Sequence, residues 1–246
     1  MKQQEKNSGK IEIDYLKSFP KITGKCDLVA QIINTSKREH FDLKTGDIIC
    51  IASKVISKSL GLYIDLRQIN PSPLAWKIHE KIPRKDPRLI QVIINQTGDA
   101  TGKKLDLANN YIGGWLPNDL FLTSAGVDKV DQNTVLVLPP DCDKIARNIS
   151  YAIEKELAAR VAVIVSDSDG RIDKKGATQI AVGLYGIDGL RKSKYKDKTN
   201  IETICDMLAA ASGLLMGQRG VGIPLVRIRG LDYAFNENVS IRDALN

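Results

Sequence analysis

The sequence predicts an α+β protein, a mixed α/β arrangement without strict strand–helix–strand repetition. Two observations carry that expectation. Short apolar runs such as IICIA, VLVL and VAVIV each stop at a polar or turn residue, as buried strands do. Between them, apolar residues recur every four positions at Ile145, Ile149, Ile153 and Leu157, and Ile204, Leu208, Ala211 and Leu215 mark a second helix at spacings of three and four. With 246 residues, 43% of them hydrophobic, the chain can bury a proper core.

Taken in order, residues 1–9 read as a flexible polar tail with no apolar stretch behind them, unlike a secretory signal. One domain is expected over 10–246, with two interleaved subdomains as an option. Asp47 to Ile51, after the Thr45-Gly46 turn, reads as a buried strand. The segment from Ala52 to Gly61 then carries Lys54 and Lys58, four residues apart. Leu74 to Lys81, between Pro73 and Pro83, reads as a short helix. Leu89 to Ile94 reads as a strand, and Asn95 to Asn118 as a connecting region rich in Gly and Asn.

The second half continues with a strand at Thr134 to Leu138, closed by Pro139-Pro140, and then the first four-residue periodicity. Val161 to Val165 follows as a strand. The second helix is stopped near Gly217, Leu225 to Ile228 forms a last strand, and Ser240 caps a short C-terminal helix.

Composition narrows function. No apolar run approaches the ~20 residues of a membrane span. Cys26, Cys50, Cys142 and Cys205 form no CxxC pair and read as free thiols of a reducing compartment, the cytoplasm. With two histidines, His40 and His79, a zinc site or a Ser-His-Asp triad is disfavoured, and a metal would be a hard cation on oxygens. The formal charge of +7 is spread along the chain and aromatic residues make up 5%, which disfavours nucleic acid as a partner.

Asp167 stands just beyond the expected strand VAVIV, and Asp128 follows another in FLTSAGVD. Sheet proteins assemble sites at such strand ends. With Ser168 alongside, the two carboxylates could form an oxygen cage for Mg²⁺ or Mn²⁺, or they could be ordinary turn residues. Lys54 and Lys58 repel each other unless an anion lies near, although exposed lysine pairs are common. GDATGKKL has too few residues between its glycines for a P-loop, and Lys104 stands where Ser or Thr should hold magnesium. GQRGVG, Gly217 to Gly222, could cradle phosphate or could simply end the preceding helix.

The ordered series GDIICIASKVISKSLG, SAGVD, VLVLPPD, VAVIVSDSDGR, GATQIAVGLYGIDGLRK and LLMGQRGVGIPLVRIRG, with SFPKITGKCDLV before it, resembles the F420-0:γ-glutamyl ligase family over roughly residues 18 to 230. The most specific part is Ser166 to Arg191, where SD[ST]xGR precedes GxTxxAxG. The resemblance implies a fold of mixed sheets with flanking helices, an intertwined homodimer, and a cleft for GTP (ATP being possible) and Mg²⁺ or Mn²⁺. It implies a metal set of Asp128, Asp167, Ser168 and Gln218, with Asp128, Asp167 and Lys58 catalytic. It also implies nucleotide contacts from Pro20, Lys21, Ile22, Ser53, Lys54, Lys58 and Asp131, and from Met216, Gly217, Gly220 and Gly222 within Met216 to Ile223. The implied activity joins L-glutamate to an anionic acid, F420-0-like or folate-like, through an acyl phosphate.

Three departures stand out. Asp131 replaces the Asn of AGVDxSN, Ser168 replaces Thr with its hydroxyl kept, and residues 109–124 lack the family's acidic, Arg-His-Gly segment. The first and last of these leave a nucleotide-binding paralogue without ligase activity as the competing expectation.

Overall fold

Isoleucines and a cysteine with no polar residue between them explain the centre of the structure: Ile48, Ile49, Cys50 and Ile51 are all fully buried. The computed structural model describes residues 9–108, 111–171, 174–218 and 220–246. Most of the expected tail, residues 1–8, lies outside the described residues. In chain order, β1 (Glu12–Tyr15) leads to α1 (Leu28–Arg38), β2 (Ile48–Ala52) and α2 (Ser53–Leu60). β3 (Tyr63–Asp65) precedes α3 (Pro73–Lys81) and α4 (Pro87–Gln96). Five short strands follow: β4 (Leu105–Ala108), β5 (Tyr111–Trp115), β6 (Phe121–Thr123), β7 (Asp128–Lys129) and β8 (Thr134–Leu136). α5 (Cys142–Leu157) then leads to the long hairpin of β9 (Ala162–Gly170) and β10 (Ala177–Tyr185). A second hairpin, β11 (Arg191–Tyr195) with β12 (Lys198–Glu202), precedes α6 (Ile204–Met216) and β13 (Leu225–Arg229).

The main sheet has the order β1-β13-β2-β9-β10. β2 and β9 run parallel, and every other pairing in it is antiparallel. Alternation of side chains along each strand divides the core in two. Ile49, Ile51, Val163 and Val165 face one layer, in which α5 packs on β9 and β10 and α2 on β2 and β9. Ile48, Cys50, Ala162 and Ile164 face the other, where α6 lies across the sheet. Two three-stranded sheets, β3-β8-β7 and β4-β5-β6, accompany it. This is the mixed α+β class the sequence predicts.

Two expectations are corrected. Leu89 to Ile94 is helical within α4. Asp86 caps that helix through Arg88 N (2.8 Å) and Pro87 opens it, so start signals outweigh the strand preference of its isoleucines and valine. The supposed connector from Asn95 to Asn118 contains β4 and β5. Gly113 hides that strand because the Phe121 ring occupies the space a side chain would need, 2.1 Å from where a Cβ would sit. The C-terminal turn forms as expected, with Ser240 and Asp243 in a capping box. Among the described residues no helix is long and apolar enough to cross a membrane.

Candidate active site

The parallel pairing of β2 and β9 ends at Ala52 beside Ser166. There β2 turns into α2, whereas β9 runs on to Gly170, paired only with β10. The strand therefore does not stop before Asp167, as the sequence suggested; the acid lies within it, where β2 no longer covers its flank. Beyond the end of β2 a crevice opens, the usual place for a site in such sheets. Asp167 points to the same side as Val163 and Val165, and Ser53 at the start of α2 donates its hydroxyl to Asp167 Oδ1 at 2.6 Å. Ser168 points the other way and meets Gln218, whose Nε2 donates to its Oγ at 2.8 Å.

Asp128 arrives from a different sheet. It starts β7 after the turn Ser124–Gly126 and lies in register with Leu136 of β8. Its Oδ2 accepts from Lys54 Nζ at 2.7 Å. Burial pushes Asp167 up to about 6, helped by the neighbouring Asp128 charge and opposed by the Ser53 hydrogen bond and Lys54. Lys58 is held below its usual value, first by burial, then by Lys54 and Lys21. Two neighbouring acids and three clustered lysines together invite a cation and a polyanion.

These groups share one cavity of about 700 Å³. Ser53, Lys54, Lys58, Asp128, Asp167 and Ser168 line it. Pro20, Lys21 and Ile22 line it too, as do Met216, Gly217, Gln218, Gly220 and Gly222. GQRGVG is thus both the stop of α6 and a cavity wall: Gly217 has φ 59°, ψ −148°, a conformation reserved for glycine. Arg219 lies outside the described residues. The donor chemistry fits a hard cation, because two carboxylates, a hydroxyl and an amide line the same cavity. Among the described residues no group of three or more His, Cys, Asp or Glu gathers as a metal site.

Comparison with known proteins matches residues 17–230 to the model of the F420-0:Gamma-glutamyl ligase family. The chain belongs to the F420-0:γ-glutamyl ligase family. Relatives named coenzyme F420:L-glutamate ligase include one from Methanothermobacter thermautotrophicus, 32% identical over 89% of this chain and 88% of its own length. Those of Methanocaldococcus jannaschii, 36% identical over 80% of each chain, and Methanococcus maripaludis, 34% identical over 89% and 88%, are similar. The family is one of amide-forming ligases, and this chain is an enzyme of that class.

Within the family pattern, one departure is relocated by the structure. Asp131 does not line the cavity. Its Oδ1 accepts the amides of Asn133 and Thr134, both at 2.8 Å, and so shapes the turn between β7 and β8. That oxygen serves the local turn. Discounting GDATGKKL as a phosphate loop fits the geometry, since Asp99 takes the amides of Thr101 (2.9 Å) and Lys104 (3.0 Å). Sequence reasoning missed Gln179, which lies opposite Ser168 and lines the cavity, and the apolar lining residues Phe19 and Val55. Only tertiary register brings those residues together.

Proposed function

We propose that this chain is a GTP-dependent γ-glutamyl ligase that joins L-glutamate to a carboxylate of an F420-0-like acid. The observation that carries the reading is the shared cavity, in which Asp128 and Asp167 face Lys54 and Lys58 at the open end of β2. The names of the relatives support the acceptor and the amino acid.

A carboxylate is a poor electrophile, so it is first phosphorylated. The acceptor oxygen attacks the γ-phosphate of GTP and GDP leaves. The glutamate amine then attacks the acyl carbon, an amide forms and inorganic phosphate departs. Such chemistry rests on alignment and charge neutralisation. Lys54, Lys58 and Lys21 balance the phosphate charge, and the uncapped start of α2 offers backbone N–H groups to an anion. Phe19, Ile22 and Val55 supply apolar surface for the base and exclude water. Asp128, Asp167, Ser168 and Gln218 would hold Mg²⁺ or Mn²⁺, which when bound supplies positive charge to the phosphate oxygens. This division of labour needs neither a histidine base nor a reactive cysteine. Cys50 and Cys142 are indeed buried and their thiols pushed up by burial.

A homodimer is part of the proposal. β11 and β12 pair only with each other, and an isolated two-stranded hairpin is marginal in water. Tyr195 and Ile201 on it, with Met207 and Leu214 on α6, are exposed apolar residues that a second copy would cover. Cytoplasmic location accords with four free cysteines.

The test measures phosphate release with GTP or ATP, Mg²⁺ or Mn²⁺, L-glutamate and a panel of acids including F420-0 and a folate. Release that needs both glutamate and F420-0 is expected. Release with a folate alone would change the acceptor, and nucleotide binding without release would favour the inactive paralogue.

A further inference from the structure

We propose that Asp169 is a positioning residue for Asp128, acting through Thr123 and the left-handed turn that follows it; its functional consequence rests on the ligase reading above. Asp169 does not line the cavity. It stands two residues beyond Asp167 on the same face of β9, and its Oδ1 accepts the backbone amide of Thr123 at 2.8 Å. The Thr123 hydroxyl meets the same oxygen and accepts from Gly170 N at 3.2 Å.

Thr123 is followed by three consecutive residues at positive φ: Ser124 at 52°, Ala125 at 49° and Gly126 at 69°. Left-handed backbone is unfavourable for a non-glycine residue. Two such residues side by side persist only where the surroundings over-determine them. The surroundings do so from three directions. Asp169 grips the residue before the turn. Lys85 Nζ donates to Ser124 Oγ at 2.8 Å. Ala125 is fully buried above Gly114, where a Cβ would come within 2.9 Å of its own.

The turn closes with Val127 N donating to Ser124 O at 3.0 Å, and the next residue is Asp128. One strand thus sets both acids: β9 carries Asp167 directly and, through the Asp169–Thr123 clamp, fixes where the chain delivers Asp128. Without the clamp the strained turn has a downhill route to ordinary backbone, which would withdraw Asp128 from Lys54 and from Asp167.

The experiment compares Asp169→Ala and Thr123→Val with Asp169→Asn and Thr123→Ser, which keep the accepting oxygen and the hydroxyl. Crystal structures report the Asp128–Lys54 distance, and electron paramagnetic resonance titration reports Mn²⁺ affinity. We expect Asp128 to leave Lys54 in the Ala and Val variants and Mn²⁺ to bind about tenfold more weakly or worse, as for other lost supports of metal ligands. The conservative variants restore both, and Asp169→Ala adds no further loss in an Asp128→Asn background. If Asp169→Ala fails to fold, Thr123→Val carries the comparison. An Asp128 carboxylate that stays on Lys54, with the turn still left-handed, overturns the proposal. Wild-type protein that binds no Mn²⁺ counts against the ligase reading instead, and the crystal distances then decide the clamp alone.

Discussion

Ser53 Oγ donates to Asp167 Oδ1 at 2.6 Å and so ties the first residue of α2 to the acid on the adjacent strand. A hydrogen bond to a charged group contributes about 1.5–3 kcal/mol, so Ser53→Ala is expected to slow turnover roughly tenfold. Asp167→Asn keeps the shape but removes the charge, and a loss of about 100-fold or more is expected in glutamate-dependent phosphate release. In thermal melts Mn²⁺ should stabilise the wild type and leave Asp167→Asn unmoved. Equal stabilisation of both would take Asp167 out of the cation site.

Lys58 sits among Lys54 and Lys21 with its charge disfavoured by burial. A bound polyphosphate relieves that repulsion, so the lysine contributes most when nucleotide is present. Lys58→Met should raise KM for GTP about tenfold, the value of one charge-assisted contact, and leave KM for glutamate within about twofold. Steady-state kinetics with each substrate varied in turn checks the split.

Asp86 caps α4 and grips Arg88, whose Nη2 lies 2.6 Å from Oδ2. Asp86→Ala should cost about 1–2 kcal/mol at pH 7. The Arg88 hydrogen bond holds the Asp86 carboxyl below its ordinary 3.8 despite some burial. A depressed folded-state value gives stability that is present above the ordinary value and lost as pH falls through the folded one. The gap between wild type and Asp86→Ala should therefore narrow below pH 3.8. Denaturant titrations at neutral and acidic pH measure it.

Asp47 is buried at the start of β2 and holds Arg229 of β13 through both oxygens, at 2.6 and 2.7 Å. Removing one partner of a buried pair costs about 3–5 kcal/mol. Asp47→Asn keeps some hydrogen bonding and should lose roughly 3 kcal/mol or less on that scale, seen as a lower denaturation midpoint with unchanged slope.

Much of this was legible in the sequence, for a physical reason. Unbroken apolar runs and helical periodicities report burial, so β2, β9, α5 and α6 could be read directly. Asp128, Asp167, Lys54 and Lys58 stand beside such elements, and the cavity contains all four. Three other features leave no such signal. The polar hairpin β11–β12 has no buried face to betray it, and both its strands are almost wholly exposed. β5 is disguised by Gly113, which makes room for Phe121, and by Gly114, which makes room for Ala125. Asp131 has the composition of a site residue, yet its oxygen is consumed by the local turn, which no spacing rule reveals.

In the proposed reaction the cavity phosphorylates a carboxylate. Acceptor labelled with ¹⁸O in that carboxylate, incubated with the enzyme, GTP, Mg²⁺ and L-glutamate, tests it most directly by mass spectrometry of the released phosphate. Transfer of one labelled oxygen into each phosphate is predicted, because the oxygen that attacks phosphorus departs with it. Phosphate free of label alongside amide product would contradict the account.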